Sequence, residues 1–263
     1  MIRTVIGATL IVALFSFTAQ AAMHWSPAPM KHGHGGHDRH AGKPFVLTEG
    51  AGAAVTLLTP KLVAKPMSVE QARVVVTSTG MDNYHALVAT RSSGDLHESA
   101  IRYVYMFGKP SGESPSDIMA YEKSALEIEP SPYAREHWRY LSDTEVVFKV
   151  RYKGQSLPLA IVTMTTSNGG SAEFKADEQG VVRFTLPEDF SDIKPGRMAN
   201  RPGEFILSAR YEEGGGTHLT SFSSAYHVNP NHWQSTGLGV AVVAAGMLIG
   251  GLVFVCKRRK EKS

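Results

Sequence analysis

Five histidines fall between positions 24 and 40: His24, His32, His34, His37 and His40, out of eleven in the whole chain. Neutral imidazole is the commonest protein ligand for transition metals. Met23 and Met30 add thioether sulfurs, which suit Cu(I). Glycine and proline between the histidines (MHWSPAPMKHGHGGHDRH, residues 23–40) predict a flexible segment whose rings can converge on one ion. This donor set points to capture of nickel, cobalt or copper. No Cys/His spacing of a structural zinc site accompanies it. The plainer alternative is a linker that happens to be rich in histidine.

His24 differs in kind from the four that follow. Cleavage after Ala21 would leave Ala22-Met23-His24 as a new amino terminus. The amine, two deprotonated amides and the imidazole would then supply four nitrogens in a plane, the geometry that Cu(II) and Ni(II) prefer. Cleavage after Ala22 would leave a weaker chelate. Imidazole binds metal only when deprotonated, so capture should fade below about pH 6.5.

The flanking segments place this chemistry. Residues 1–21 read as a secretory signal, with Arg3, an apolar run from Val5 to Phe17, and Ala19-Gln20-Ala21 before the cut. Residues 237–256 carry no charge. As a helix they would extend about 30 Å, the thickness of a bilayer core. Lys257, Arg258, Arg259 and Lys260 follow, which keeps that end in the cytoplasm. Trp233 suits the membrane interface. Gly246 and Gly250 form a small-xxx-small pattern that would allow a homodimer. The expectation is a single-pass type I protein of a bacterial inner membrane, with its bulk in the periplasm. Cys256 is the only cysteine, so the exported part must hold together by packing alone. The formal net charge is +3, and the tail at 257–263 has five cations and one Glu, a net +4, so the exported part is near neutral. No basic, aromatic-rich stripe suggests nucleic acid.

The body reads as mainly β: two antiparallel sandwiches of the immunoglobulin or prealbumin kind, followed by the membrane helix. Period-two alternation recurs along it. Phe148, Val150 and Tyr152 share one face; Val182, Phe184 and Leu186 share another, as do Phe205, Leu207, Ala209 and Tyr211. The run 159–166 begins apolar on both faces, as a central strand would. Asn168-Gly-Gly170 and Asp177-Glu-Gln-Gly180 are turns. In the first half, strands are expected over 53–58, 73–79, 84–90 and 101–107, the last with Ile101, Tyr103, Tyr105 and Phe107 on one face. Ser114 is the N-cap of a short helix through Ala125. The expected segments are a signal at 1–21, a flexible histidine-rich tail at 22–44, a β domain at 45–127, a β-sandwich at 128–229, a linker at 230–236, the span at 237–256 and a basic tail at 257–263.

The order Ile128-Glu-Pro130, Pro132-Tyr-Ala-Arg-Glu-His-Trp138, Phe148 to Leu157, Thr166-Ser-Asn-Gly169, Asp177-Glu-Gln-Gly180 and Leu186-Pro-Glu-Asp-Phe190 resembles a NikM-like, nickel-transport-complex-associated bacterial family. The resemblance covers roughly residues 45–230. It implies a periplasmic protein associated with metal uptake, and it supplies no residue-level mechanism. A chain with one span cannot be a channel, so its transport role would be accessory, beside an inner-membrane metal transporter.

Other histidines are His85, His97, His137, His218, His227 and His232. His137 stands in the polar-aromatic cluster Arg135-Glu136-His137-Trp138, read mainly as a clasp between domains. No nucleophile elbow, phosphate loop or zinc-protease helix motif occurs, and Glu188, Asp189 and Asp192 read as solvated, so no enzymatic activity is expected. The competing reading is a structural or interaction module that binds a protein or glycan, with an incidental tail.

Overall fold

Alternating apolar residues build seventeen strands among the residues that the computed structural model describes, which are 23–29, 42–132, 140–196, 198–234 and 246–247. Five short strands come first: β1 (His24–Pro27), β2 (Lys43–Thr48), β3 (Ala54–Leu58), β4 (Ala64–Pro66) and β5 (Arg73–Val76). The long pair β6 (Met81–Ser93) and β7 (Leu96–Met106) turns through Gly94, whose φ of 57° suits a residue without Cβ. After β8 (Lys109–Pro110), helix α1 (Pro115–Ala120) starts in a capping box between Ser114 and Asp117. It ends five residues before the expected Ala125, where Tyr121 takes an extended conformation.

The second half contains β9 (Leu126–Pro130), β10 (Tyr140–Leu141), β11 (Glu145–Tyr152), β12 (Gln155–Ser156), β13 (Ile161–Thr166) and β14 (Ser171–Lys175). It closes with β15 (Val181–Thr185), β16 (Gly203–Glu213) and β17 (Gly216–His227).

These strands form three sheets in sandwich-like layers. One runs β14-β13-β16-β17-β7-β6-β3-β4 through both halves of the chain. A small sheet, β1-β2-β5, covers one face of it, and a third, built on β9, β11, β12 and β15, covers the opposite face. The long strands therefore bury both faces. In β6, Leu87 and Ala89 point into the small sheet's cluster, while Ala86 and Val88 point into the other. In β7, Ala100 and Val104 take the first side, Ile101 and Tyr103 the second.

The halves meet at β7 and β17, which pair in parallel from Leu96 opposite Thr217 to Ile101 opposite Phe222. Strand β1 lies over this seam. The Trp25 Nε1–H donates to the Ala100 carbonyl at 3.1 Å, and the Ser221 hydroxyl donates to the Met23 carbonyl. Ala100 and Ser221 are register partners across the seam, so β1 grips both strands at one level.

Several expectations are corrected. Residues 23–29 are not part of a flexible tail: Met23 and Trp25 are 1% and 0% exposed in the small sheet's core. Seven tail residues read as linker thus supply a full indole ring to that core. Glu127, the expected boundary, lies inside β9 and is buried, because Leu126 and Ile128 pack with the second half. The architecture is not purely antiparallel, since β7 with β17, β10 with β17 and β6 with β8 pair in parallel. The β13 region is not covered on both sides, as Leu159 and Ile161 are 54% and 42% exposed. Phe107 lies beyond β7 and is exposed. Inner faces at 148–152, 182–186 and 205–209 are buried as the alternation predicts.

Among the described residues no helix is long and apolar enough to cross a membrane. The signal segment at 1–21, the tail at 257–263 and the expected span at 237–256, apart from Gly246 and Met247, lie outside the described residues.

Candidate functional site

Strands β1 and β2 pair antiparallel, from His24 opposite Thr48 to Pro27 opposite Phe45. One step further, the Ala28 amide donates to the Pro44 carbonyl at 3.0 Å. The chain between these two residues carries Met30, His32, His34, His37 and His40. Both ends of the histidine tract are therefore fixed to one sheet, about 5.5 Å apart by the spacing of a hydrogen-bonded pair. The tract is a connection within a hairpin, not the end of a tail. Met30 and the four histidines themselves lie outside the described residues.

His24 and Met23 are placed differently. Alternation from the Ala28 bond makes Ser26–Val46 and His24–Thr48 the hydrogen-bonded pairs of the ladder. The His24 amide is thus committed to Thr48. A planar amino-terminal chelate would have to take that same nitrogen. Met23 is buried with Trp25, Phe45 and Leu47, which withdraws its sulfur from solvent.

A second histidine arrangement occurs at the seam. His97 on β7 and His218 on β17 are register partners, and their rings stack with centroids 4.9 Å apart and planes 21° apart. Ser92 on β6 lies opposite His97, and Tyr211 on β16 lies opposite His218. One row of side chains therefore crosses four strands. The Ser92 hydroxyl is 3.0 Å from His97 Nδ1, and the Tyr152 hydroxyl, reaching over from β11, is 3.1 Å from His218 Nε2. Tyr152 packs against Tyr211 at 4.7 Å between centroids, and Lys153 sits over the Tyr152 ring while pairing with Glu213 at 3.0 Å. Burial lowers the His218 pKa, and the charges of His97 and Lys153 lower it further against the pull of Glu213. Hydrogen bonds from Tyr152 and Lys153 hold the Glu213 carboxyl below its ordinary range.

The remaining described histidines are structural. His85 is fully buried, with Nε2 at 2.6 Å from the Thr79 hydroxyl and Nδ1 at 3.1 Å from the Asn83 carbonyl. Burial lowers its pKa, and nearby Lys65 and Lys43 add to the effect against the Asn83 bond. His232 pairs with Glu188 at 2.9 Å. The His227 carbonyl accepts the Ser142 amide where β10 joins β17. His137 and its cluster lie outside the described residues.

Carboxylates that read as solvated include one that is not. Asp189 accepts hydrogen bonds from Thr166, Asn168 and Tyr226 at 2.6, 3.4 and 2.5 Å. Burial and the Asp189 bond push the Tyr226 phenol pKa upward, so that hydroxyl stays a donor. Glu127 is also internal, pairing with Arg151 at 2.9 Å and Lys123 at 3.5 Å. No group of three or more His, Cys, Asp or Glu among the described residues is placed to hold a metal ion. An open cavity of about 780 Å³ lies between the start of β6, α1 and β9, lined by Asn83, Tyr84, Tyr105, Met119 and Glu129.

No protein-family model and no curated protein matches the chain. Among solved structures, a two-domain fibronectin type III segment of chicken tenascin is 8% identical over 77% of this chain and 97% of that one, with a TM-score of 0.23. The D0-D1 domains of intimin are 14% identical over 71% of this chain and 91% of that one, with a TM-score of 0.25. A Salmonella alpha-2-macroglobulin reacted with methylamine is 12% identical over 72% of this chain and 14% of that one, with a TM-score of 0.27. None of these likenesses assigns a residue or an activity.

Proposed function

We propose that the protein is a non-enzymatic, metal-binding accessory anchored in a bacterial inner membrane. It captures nickel, cobalt or copper in the periplasm and presents the ion to a transporter. The observation that supports this is the closure of the histidine tract by the β1–β2 pair, with the Ala28–Pro44 bond at its neck. Four imidazoles fall within nine residues, and the strands on either side of them are paired in one sheet. Part of the ordering that metal binding demands is met in advance. Anchoring beside a transporter would hold the donor at an effective concentration in the millimolar range.

His32, His34, His37 and His40 carry the capture in this reading, and His24 stands apart from it. Recruiting the His24 amide would pull β1 off the sheet and expose Trp25. Losing a fully buried aromatic ring costs about 3–5 kcal/mol. The NikM-like resemblance agrees with a metal-uptake role and leaves the ion open.

The test is titration of the full chain with NiCl2 and CuSO4 at pH 7.5. H32S/H34S/H37S/H40S should lose the tight binding event, while His24→Ser should keep it. Equal affinity and stoichiometry in the four-serine variant and the parent would sink the proposal. A second reading, an interaction module for a protein or glycan, draws on the open cavity beside Tyr84 and Tyr105. It predicts that cavity substitutions abolish the phenotype while the four-serine variant leaves it intact.

A further inference from the structure

We propose that one end of the body, the end on which the neck of the histidine tract opens, rests on an anionic bilayer surface. Leu62, Val63 and Phe107 make the contact, together with Lys61, Lys65 and Lys109. The proposal rests on the reading of 237–256 as a membrane span, and it adds which way the body faces and what it touches.

Strand direction defines that end. β17 runs parallel to β7 at the seam, so both finish toward the same end, at His227 and Met106. β10 then pairs with Tyr226 and His227, and the two halves spread toward this end. β6 is antiparallel to β7 and starts here, with Asn83 opposite Met106. β3 is antiparallel to β6, so the β3–β4 turn at 59–63 points the same way. In the small sheet, Lys43 Nζ donates to the Tyr105 carbonyl at the finish of β7, at 2.6 Å. Arg91, toward the finish of β6, donates to the Ala51 carbonyl beyond β2. β2 therefore starts at this end, and the neck between Ala28 and Pro44 opens on it.

The chain also leaves from this end, and its exit is fixed. The Asn229 amide donates to the Ser142 hydroxyl at 3.1 Å, and His232 pairs with Glu188 at 2.9 Å. From Gln234 to Gly237 the chain can reach at most about 10 Å. A span that begins at 237 holds this end at the membrane and the opposite one away from it.

The exposed residues match a headgroup layer. Leu62, Val63 and Phe107 are 37%, 54% and 50% exposed. Buried Thr59 makes the first turn firm: its carbonyl accepts the Leu62 amide and its hydroxyl the Val63 amide. Phe107 is braced edge-on by Tyr105. Lys61 and Lys65 flank Leu62 and Val63, and Lys109 follows Phe107. None of the ion pairs among the described residues uses these lysines. Apolar side chains among lysines insert between headgroups while the ammonium groups meet lipid phosphate. The turns at the opposite end, 92–95 and 212–215, hold glycine, serine and carboxylates instead. Of the carboxylates at the near end, Asp82 is engaged by the Tyr105 hydroxyl at 2.7 Å, and Glu113 lines the open cavity. Asp143, Glu145 and Glu188 belong to the second half, so the first half makes the contact.

The test places the full chain in vesicles of equal parts phosphatidylethanolamine and phosphatidylglycerol. In a Cys256→Ser background, a nitroxide is attached singly at Val63→Cys, Phe107→Cys, Ser93→Cys or Met247→Cys. Electron paramagnetic resonance then compares its access to oxygen, which enters lipid, and to chromium oxalate, which stays in water. The oxygen-to-chromium ratio at 63 and 107 should exceed that at 93 several-fold. Lys61→Glu/Lys65→Glu/Lys109→Glu should return both to the value at 93, and unchanged ratios in that chain would refute the anionic partner. Ratios at 63 and 107 as low as at 93, with 247 embedded, would overturn this proposal alone. A water-exposed 247 would remove the span and the proposal with it. Positions 63 and 107 stand on separate exposed turns, and far-ultraviolet circular dichroism confirms that each labelled chain is folded.

Discussion

Replacing Trp25 tests whether the histidine tract is held as a hairpin. The ring is 0% exposed and packs with Phe45, Leu47 and Val74, and its indole N–H donates to the Ala100 carbonyl. Truncating a buried Trp to Ala costs about 3–5 kcal/mol. Trp25→Phe keeps most of the apolar area and loses the hydrogen bond, so about 1–2 kcal/mol is expected. For a body of roughly 190 residues, 1 kcal/mol moves the melting temperature by about 2–4 °C. Trp25→Ala should therefore lower it by roughly 10 °C if β1 unfolds with the rest. If β1 peels off alone, the loss is capped at its docking energy, and hydrogen exchange should then show fast amides at residues 24–28 and 43–48 with a protected β6–β7 pair. Nickel affinity should fall in the same variant, since the tract is no longer closed at its base. Urea melts with circular dichroism give the midpoint, and exchange with mass spectrometry locates the opening. A change under 1 kcal/mol, with unaltered exchange at β1 and β2, would refute the packed hairpin and with it the argument for a held tract.

Three further outcomes follow from the same packing. Glu204→Gln leaves Arg102, its partner at 2.5 Å across the two halves, buried without a counter-charge, and the urea midpoint should report a loss of about 3 kcal/mol. His85 has a folded pKa below its ordinary 6.5, so the unfolded chain binds the extra proton first. Its share of stability is present above that ordinary value and is lost as pH falls through it toward the depressed one. The urea midpoint should drop between pH 7.5 and 5.5, and His85→Gln should flatten that slope. Tyr226→Phe removes the donor to Asp189 and the acceptor for Asn168, and thermal melts should show a loss of about 2 kcal/mol with metal binding unchanged.

Much of the β character was legible because solvent-facing and core-facing residues alternate wherever one face of a strand stays wet. Phe148, Val150 and Tyr152 are of this kind, as are Val182, Phe184 and Leu186. The turn at Asp177–Gly180 was legible too, since Asp177 accepts the Gln179 and Val181 amides and Gly180 takes φ 72°. The rule weakened where both faces are covered. In β6, seven consecutive residues from Asn83 to Ala89 are buried, and periodicity cannot say which sheet covers which side. It failed at Met23–Ala28, where a short strand leading into the histidine- and glycine-rich tract looked like linker. Its burial depends on a docking site built from Phe45, Val74 and Ala100, far along the chain.

The sequence by itself determined the donors: which histidines exist, how densely 32–40 carries them, and that strand-forming alternation dominates the body. Those properties are local, set by residue type and spacing along a few residues. Only the tertiary structure decided that the tract is closed at its base and that His97 meets His218. Both depend on strand pairings between distant segments, β1 with β2 and β7 with β17, whose partners are chosen by the fit of whole faces and not by any residue near them.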